Sequence, residues 1–133
     1  MNPMSRVKSL DHLVLTVRDI GSTVKFYQDI LGMEHSSFAD PKDPSITRHA
    51  LHFGRQKINL HLSGKEFEPK AQHVQPGSGD FCFLVEDSVD QVLERLLEKG
   101  ITVLEGGQVV ARTGAQGQLR SVYIRDPDGN LIE

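Results

Sequence analysis

Residues 10–32 read LDHLVLTVRDIGSTVKFYQDILG and predict a β-strand followed by an α-helix. The first eight of these residues are mostly aliphatic or β-branched, which is typical of a strand. Ser22 is placed to cap a helix whose apolar residues recur at helical spacing, and Gly32 supplies the left-handed residue that ends it. The stretch therefore predicts one strand–helix unit.

Three further strands are predicted in the first half. A weak strand at residues 33–38 precedes RHALHFG, residues 48–54, and KINLHLSG, residues 57–64. The last two predict a hairpin whose turn lies around Gly54 to Gln56. The first half is therefore predicted as β-α-β-β-β.

The same pattern restarts after a loop rich in Pro, Gly, Gln and charge. Ser88, with Gln91 three residues later, predicts a capped helix that ends at Gly100. The strands predicted around this helix are residues 80–85, 101–104, 119–125 and 130–133, with a Gly-rich loop at 112–118. The pattern leaves open whether the strand at 101–104 continues to Val110. The second half thus repeats the order of the first.

An ungapped shift of 68 residues supports an internal duplication. It places His12 on Asp80 and Gly32 on Gly100, with seven matches of residue class in one register. Near the end of each half a shift of 72 matches His61 with Glu133, so four extra residues are expected around 113–118.

The duplication predicts an α+β fold in which two βαβββ repeats form a curved mixed sheet around a cavity. We expect a single domain at residues 1–133, with repeat units at about 7–64 and 79–133 and a linker at 65–78.

Composition limits the classes of function. The 15 Lys and Arg nearly balance the 18 Asp and Glu, so there is no global positive charge to hold nucleic acid or an anionic membrane. The apolar runs fall far short of the roughly 20 residues that span a bilayer. Residues 1–8 contain no apolar signal region, and Cys82 is the single cysteine, so we expect a cytoplasmic protein without a disulfide.

Strand alternation assigns the polar residues to one side. In each half, one face of the strands packs against the helix, and we call the opposite face the open face. Four residues at matched positions are predicted there: His12, His61, Asp80 and Glu133. Taken singly, each is compatible with an ordinary strand residue, but their symmetric placement favours a site for a divalent metal. The lack of neighbouring thiolates argues against a structural cysteine-rich zinc site.

The stretches LDHLVLTVRDI, TVKFYQDILGM and YIRDPDGNLIE resemble the vicinal oxygen chelate superfamily, which includes glyoxalases, bleomycin-resistance proteins and extradiol dioxygenases. The resemblance covers nearly the whole chain. FGRQKINLHLSGKEFEPKA, PGSGDFCF and ARTGAQG are similar to a branch whose bacterial members are described as lactoylglutathione lyases or virulence-associated proteins.

This resemblance implies a divalent metal, namely Zn, Ni, Mn, Fe or Co. His12 stands at the first-strand ligand position and Glu133 at the glutamate that closes the tail, whereas Asp80 stands where many members have histidine. Relatives with Glu or Gln in the fourth strand favour Asn59 as the ligand there, while the duplication register and the better donor favour His61.

The chemistry and strand phasing of other residues indicate roles around the metal. Glu133 is the candidate general base and Tyr123 a candidate catalytic hydrogen-bond donor, although Tyr123 is equally compatible with ordinary packing. Ser121 lies on the same strand face, and His52 is expected on the open face near the site. Arg112 is the candidate for an anionic substrate group, and its alternative is a solvated loop arginine.

The resulting hypothesis is a metal-dependent lyase, isomerase or thiol transferase of glyoxalase type, acting on a small oxygen-rich metabolite such as a glutathione adduct. One alternative is a binding protein of the bleomycin-resistance kind that sequesters a ligand. Another is an extradiol dioxygenase, which needs two histidines and one carboxylate on iron and would leave Asp80 surplus. Four ligands favour the enzyme, and the resemblance implies a homodimer.

Overall fold

The chain is described here by a computed structural model of residues 2–133. Met1, the first residue of the predicted domain at 1–133, lies outside the described residues. The chain divides into two compact units, the first ending at Gln72 and the second comprising His73–Glu133. This boundary falls within the predicted linker at 65–78.

The first unit has the predicted β-α-β-β-β order. Its elements are β1 (His12–Val17), α1 (Ile20–Asp29), β2 (Glu34–Ala39), β3 (Thr47–Phe53) and β4 (Gln56–Leu62). The sheet order is β1-β4-β3-β2, with β1 parallel to β4 and the other neighbours antiparallel. The predicted hairpin between β3 and β4 is confirmed.

The N-cap of helix α1 lies three residues before the predicted cap, Ser22. Asp19 is the N-cap, and its carboxylate accepts hydrogen bonds from both the backbone amide and the hydroxyl of Ser22. A charged carboxylate is the stronger acceptor for the free amides of a first turn, so Asp19 takes the role predicted for Ser22. Gly32 has φ +67° and follows the helix as expected.

The core of the first unit lies between α1 and one face of its sheet. Leu51 and Ile58 are fully buried in neighbouring strands, and Tyr27 of α1 is fully buried as well. Burial of such side chains contributes about 1.5–3 kcal/mol each. Because strand residues alternate, burial of these side chains assigns His12, Asn59 and His61 to the open face.

The second unit is built from shorter strands. Its elements are β5 (Asp80–Phe81), α2 (Val89–Glu98), a 3-10 turn (Glu105–Gly107), β6 (Val110–Gly114), β7 (Gly117–Ser121), β8 (Ile124–Arg125) and β9 (Leu131–Ile132). One sheet has the order β5-β9-β8, and β6 pairs with β7 as a separate hairpin. The chain as a whole is thus an α+β fold with mixed sheets and two helices, as predicted.

The predicted strands 80–85 and 119–125 are confirmed only in part, because residues 82–85 and 122–123 lie outside strands. Two other predictions in this unit, one of a strand and one of a loop, are wrong. Residues 101–104 are not a strand, because Glu105, Gly106 and Gly107 all adopt positive φ and turn the chain before a ladder forms. The segment 112–118, predicted as a loop, is the β6–β7 hairpin, and Arg112 therefore lies in a strand. The Ser88 cap of α2 is confirmed, since its side chain accepts from the amide of Gln91.

The turn DPDGN, residues 126–130, fixes the short strands that carry Asp80 and Glu133. The carboxylate of Asp126 accepts from the backbone amide and the side-chain amide of Asn130. Asn130 in turn accepts from the backbone amide of Gly79 at 2.6 Å. A Cβ at Gly79 would lie 2.9 Å from that amide oxygen, so the contact requires glycine. Among the described residues, no helix has the length and apolarity needed to cross a membrane.

Candidate functional site

The ladder between β1 and β4 determines which residues of the first unit are neighbours on the open face. His12 is opposite Lys57, and Thr16 is opposite His61. His61 is therefore four positions from His12 along the ladder, about 13 Å at about 3.3 Å per residue. Asn59 is only two positions away, about 7 Å by the same spacing.

The second unit has the same internal arrangement with Glu133 in place of Asn59. Asp80 is opposite Leu131, so Glu133 lies two positions further along. Lys57 thus corresponds to Leu131 with a shift of 131 − 57 = 74, not 72. The predicted match of His61 with Glu133 is wrong in register, because the second half contains six extra residues between its first and last strands instead of four. Asn59 is the true counterpart of Glu133.

His12 is prepared for ligation at one nitrogen. Its Nδ1 lies 2.8 Å from a carboxylate oxygen of Asp11, and its side chain is half exposed. A carboxylate on Nδ1 favours the tautomer with the proton on Nδ1 and the lone pair on Nε2. His12 can therefore offer Nε2 to a metal ion.

Asn59 carries an unsatisfied acceptor. Its Oδ1 is buried and has no hydrogen-bond partner among the described residues. Leaving a buried carbonyl oxygen unpaired costs about 1–3 kcal/mol. An amide oxygen is a suitable ligand for hard divalent cations, so the free Oδ1 fits a metal position on this face.

His61 is engaged elsewhere. It is buried, its Nε2 lies 3.4 Å from a guanidinium nitrogen of Arg48, and the ring of Phe67 contacts it edge to face at 5.2 Å. Burial, and next the nearby Arg48 charge, lower the pKa of His61, while Glu66 opposes this. The neutral ring therefore uses its Nε2 lone pair toward Arg48.

Glu133 is the centre of a polar cluster in the second unit. Ser121 donates its hydroxyl proton to the Glu133 carboxylate at 2.7 Å. The Glu133 carboxylate also raises the pKa of the Tyr123 hydroxyl and of the Cys82 thiol. Burial is the largest cause that raises the pKa of Tyr123, and Glu133 acts in the same direction, whereas Arg112 lowers it. The fold thus brings together Glu133, Tyr123 and Ser121, three of the predicted site residues.

Arg112 joins this cluster through Tyr123. Its Nε donates to the Tyr123 hydroxyl at 3.1 Å, and its guanidinium carbon lies 5.4 Å from the centre of the phenol ring. One terminal nitrogen donates to the Ala111 carbonyl at 2.8 Å, and the other lies 3.5 Å from the Glu105 carboxylate. Arg112 is therefore held by the protein on all three nitrogens.

Two other predicted site residues, Asp80 and His52, make no described contact with this cluster. Asp80 is exposed at the start of β5. His52 is exposed on the open face of the first unit, where its Nε2 lies 2.7 Å from the Ser36 hydroxyl. Within either unit, the described residues include no group of three His, Cys, Asp or Glu side chains that could share a metal.

Two members of the Glu133 cluster were not predicted from the sequence. Cys82 follows Asp80 by two residues, so strand alternation already indicated the face that it shares with Glu133. Glu105 gave no such signal, because its contact with Arg112 depends on a turn in which Glu105 itself has φ +54°.

Cys82 provides a direct test of the carboxylate's position. Burial raises the pKa of the Cys82 thiol, and the charge and hydrogen bond of Glu133 raise it further. Glu133→Gln removes the like-charge repulsion, so the thiolate forms at lower pH and alkylation by iodoacetamide at pH 8 becomes about two- to fivefold faster. The midpoint of the pH–rate curve shifts downward in parallel.

The matched control is Glu105→Gln, which removes a carboxylate that contacts Arg112 but not Cys82 in the described contacts. Equal alkylation rates in wild type and Glu133→Gln would show that the carboxylate does not act on the thiol.

Comparisons with known proteins agree with this fold. The family described as the Glyoxalase/Bleomycin resistance protein/Dioxygenase superfamily matches residues 9–133. The chain is 53% identical over 127 residues to glyoxalase domain-containing protein RDO1 of Mycosarcoma maydis, covering 96% of this chain and 67% of that protein. It is 49% identical to virulence protein STM3117 of Salmonella typhimurium, covering 96% and 83%. The crystal structure of STM3117 aligns with this chain at a TM-score of 0.84, and the alignment covers 96% of this chain and 95% of the STM3117 chain.

More distant relatives carry the names of activities. Metallothiol transferase FosB of Shouchella clausii is 28% identical over 132 residues, covering 96% of this chain and 79% of that protein. The structure of lactoylglutathione lyase from Agrobacterium tumefaciens is 25% identical with a TM-score of 0.67, covering 96% and 92%.

Proposed function

This chain belongs to the glyoxalase/bleomycin resistance protein/dioxygenase superfamily, and on that premise we propose that it is a divalent-metal-dependent enzyme of glyoxalase type. The substrate class is a small oxygen-rich metabolite, such as a glutathione adduct, and the reaction class is a lyase, an isomerase or a thiol transferase. The names of its distant relatives, a metallothiol transferase and a lactoylglutathione lyase, support these classes.

The observation that carries the proposal is the shared register of the two units. Each unit places a donor of its first strand two ladder positions from a donor of its last strand, His12 with Asn59 and Asp80 with Glu133. We propose each pair as metal ligands of its own unit, His12 with Asn59 in the first and Asp80 with Glu133 in the second. Asn59 replaces His61 in the set because His61 is out of register and its Nε2 is engaged by Arg48.

The donor set fits a divalent cation. One imidazole nitrogen, one amide oxygen and two carboxylates suit borderline to hard ions such as Mn²⁺, Fe²⁺ or Co²⁺, and the two carboxylates offset the charge of the ion. The unpaired Oδ1 of Asn59 supports this fit, because coordination would satisfy an acceptor that is otherwise buried without a partner.

When bound, the metal supplies a Lewis acid that stabilises negative charge developing on a substrate oxygen. The protein's own residues then orient and move protons. In the proposal the Glu133 carboxylate accepts the substrate proton, while Ser121, whose hydroxyl donates to one of its oxygens, holds it in place. Tyr123 offers a hydroxyl next to the same carboxylate as a hydrogen-bond donor.

Further parts of the proposal concern assembly and location. A cytoplasmic homodimer acting on a small molecule, without nucleic acid or membrane as a partner, agrees with the balanced charge and the single cysteine. His52 remains a predicted substrate contact.

The decisive experiment is elemental analysis of the purified protein, followed by an assay with the hemithioacetal of methylglyoxal and glutathione. We expect the protein to contain a stoichiometric divalent ion, and its binding to weaken by at least about tenfold in Asn59→Ala. His61→Ala serves as the matched variant from the same strand face and is expected to retain the metal.

Each contrary result is informative. A wild-type protein without stoichiometric metal would overturn the enzyme proposal in favour of ligand sequestration. Stoichiometric iron with ring cleavage of a catechol would identify an extradiol dioxygenase instead. Loss of metal in His61→Ala but not in Asn59→Ala would restore His61 as the ligand.

A further inference from the structure

The centre of the open face in the first unit carries a very small side chain. The ladder pairs place Ala50 of β3 between Asn59 of β4 and Ser36 of β2, in one row across the strands. Ala50 contributes only a methyl group, yet it is fully buried, so side chains from the neighbouring rows must cover it. We call Ser36, Ala50 and Asn59 the floor of the open face.

Lys57 extends across this floor. It lies opposite His52, in the row on one side of Ala50. Phe38 lies opposite Arg48, in the row on the other side, and belongs to the far strand β2. The Lys57 Nζ is nevertheless 5.3 Å from the centre of the Phe38 ring. The lysine side chain therefore runs diagonally over Ala50.

The Lys57 ammonium has no anionic partner within residues 2–133. No carboxylate there forms an ion pair with it, and no oxygen accepts a hydrogen bond from it. The Phe38 ring attracts the charge but leaves the three N–H donors of the ammonium free for oxygen acceptors. Lys57 is also only partly exposed, so a group that binds over the floor meets this charge with less competition from water.

Arg48 brings a second positive charge to the same ring. Its guanidinium carbon lies 5.8 Å from the centre of the Phe38 ring and 4.1 Å from that of Phe67. Its contacts with Asp40 and His61 are both 3.4 Å, longer than the about 2.7–3.2 Å of a well-formed hydrogen bond. Donors of the guanidinium therefore remain available to a closer acceptor.

The charges around the floor do not cancel. Lys57 and Arg48 contribute two positive charges, and Asp40 is the carboxylate in contact with Arg48. Glu34 is exposed on the edge strand β2, and Glu66 pairs with a lysine four residues further along the chain. The floor is thus left with one positive charge in excess, which suits a singly charged anion better than a doubly charged phosphate.

We propose that the floor and its two cations bind a carboxylate of the substrate, with the Lys57 ammonium as the first contact and Arg48 as the second. Such contacts are charge-assisted hydrogen bonds. Arg112, which the sequence suggested for an anionic group, is held by protein acceptors, whereas Lys57 is not. The bound carboxylate would lie beside Asn59, and the part of the inference that places it next to a metal ligand rests on the proposed function.

The test is calorimetric titration of metal-free protein with S-methylglutathione, a probe that carries two carboxylates. Lys57→Met keeps an apolar stem of similar length but removes the charge, so we expect the dissociation constant to rise about tenfold or more. Lys57→Arg should restore most of the affinity. Added NaCl should weaken binding to wild type more than binding to Lys57→Met, because salt screens the lost interaction. The diethyl ester of the probe, which has no carboxylate, should bind wild type and Lys57→Met equally.

Lys25→Met is the matched control, because Lys25 is an exposed lysine of α1 that pairs with Asp29. It should bind the probe like wild type. Lys57→Met and Lys25→Met should both unfold at the wild-type urea midpoint, which separates the loss of a contact from a loss of folding.

The outcomes separate this inference from the proposed function. A wild-type protein without stoichiometric metal defeats the proposed function, and the titration of metal-free protein then decides the inference on its own. The inference is overturned by a wild type that does not bind the probe, by equal affinities of wild type and Lys57→Met, or by an equal loss of affinity for the ester. Inorganic phosphate that binds more tightly than the probe would also overturn it, because the site would then be one for phosphate.

Discussion

Replacing Glu133 by alanine is expected to weaken metal binding and to reduce turnover together, each by at least about 100-fold. The substitution removes a charged ligand of the proposed set and the proposed proton acceptor at the same time. It also leaves the Ser121 hydroxyl, which now donates to the carboxylate at 2.7 Å, without that acceptor. Metal affinity is measured by titration and turnover with the substrate identified by the assay above.

Glu98→Ala is the matched control, because Glu98 is an exposed carboxylate at the end of α2. It should bind metal and turn over substrate like wild type. Circular dichroism should show both variants to be folded. Wild-type metal affinity in Glu133→Ala would remove Glu133 from the ligand set and leave the register argument without its strongest donor.

Replacing Asn130 by alanine is expected to destabilise the protein by about 2–4 kcal/mol. Asn130 is 1% exposed, and its side chain both donates to Asp126 at 2.7 Å and accepts from the Gly79 amide at 2.6 Å. Alanine would leave a buried carboxylate oxygen and the Gly79 amide without these partners. Urea denaturation should show a lower midpoint with an unchanged slope.

Ser78→Ala provides the comparison from the same loop. The Ser78 hydroxyl makes one exposed hydrogen bond to the Gln75 carbonyl, so its loss should cost less than about 0.5 kcal/mol. Equal midpoints for the Asn130 and Ser78 variants would mean that the DPDGN turn does not contribute the stability assigned to its contact with Gly79.

Local patterns in the sequence predicted most of the first unit. The β3–β4 hairpin and the open-face assignment of Asn59 and His61 follow from alternation, which depends only on neighbouring residues. The helix of the second unit was placed correctly by Ser88 and its capping box. The strand predicted at residues 101–104 is wrong because an aliphatic run predicts a strand whether or not a partner strand pairs with it.

The site was predicted in composition but not in register. The shift of 72 residues matched Glu133 with His61 and not with Asn59. Asn59 and His61 lie on the same face of β4, two residues apart, which is one alternation period. Nothing local distinguishes them, because the pairing of β1 with β4 joins residues about 45 positions apart in the chain.

Periodicity and short motifs were enough to predict the α+β fold, the faces of its strands and the family, because neighbouring residues carry these signals. The folded structure was needed to match Asn59 with Glu133 and to show that the Glu133 carboxylate raises the pKa of Cys82 and Tyr123. It was also needed to show that Arg112 contacts Glu105 and the Tyr123 hydroxyl. Strand register depends on pairing between segments that are distant in the chain, and a shift of two residues keeps every side chain on its face but changes every partner.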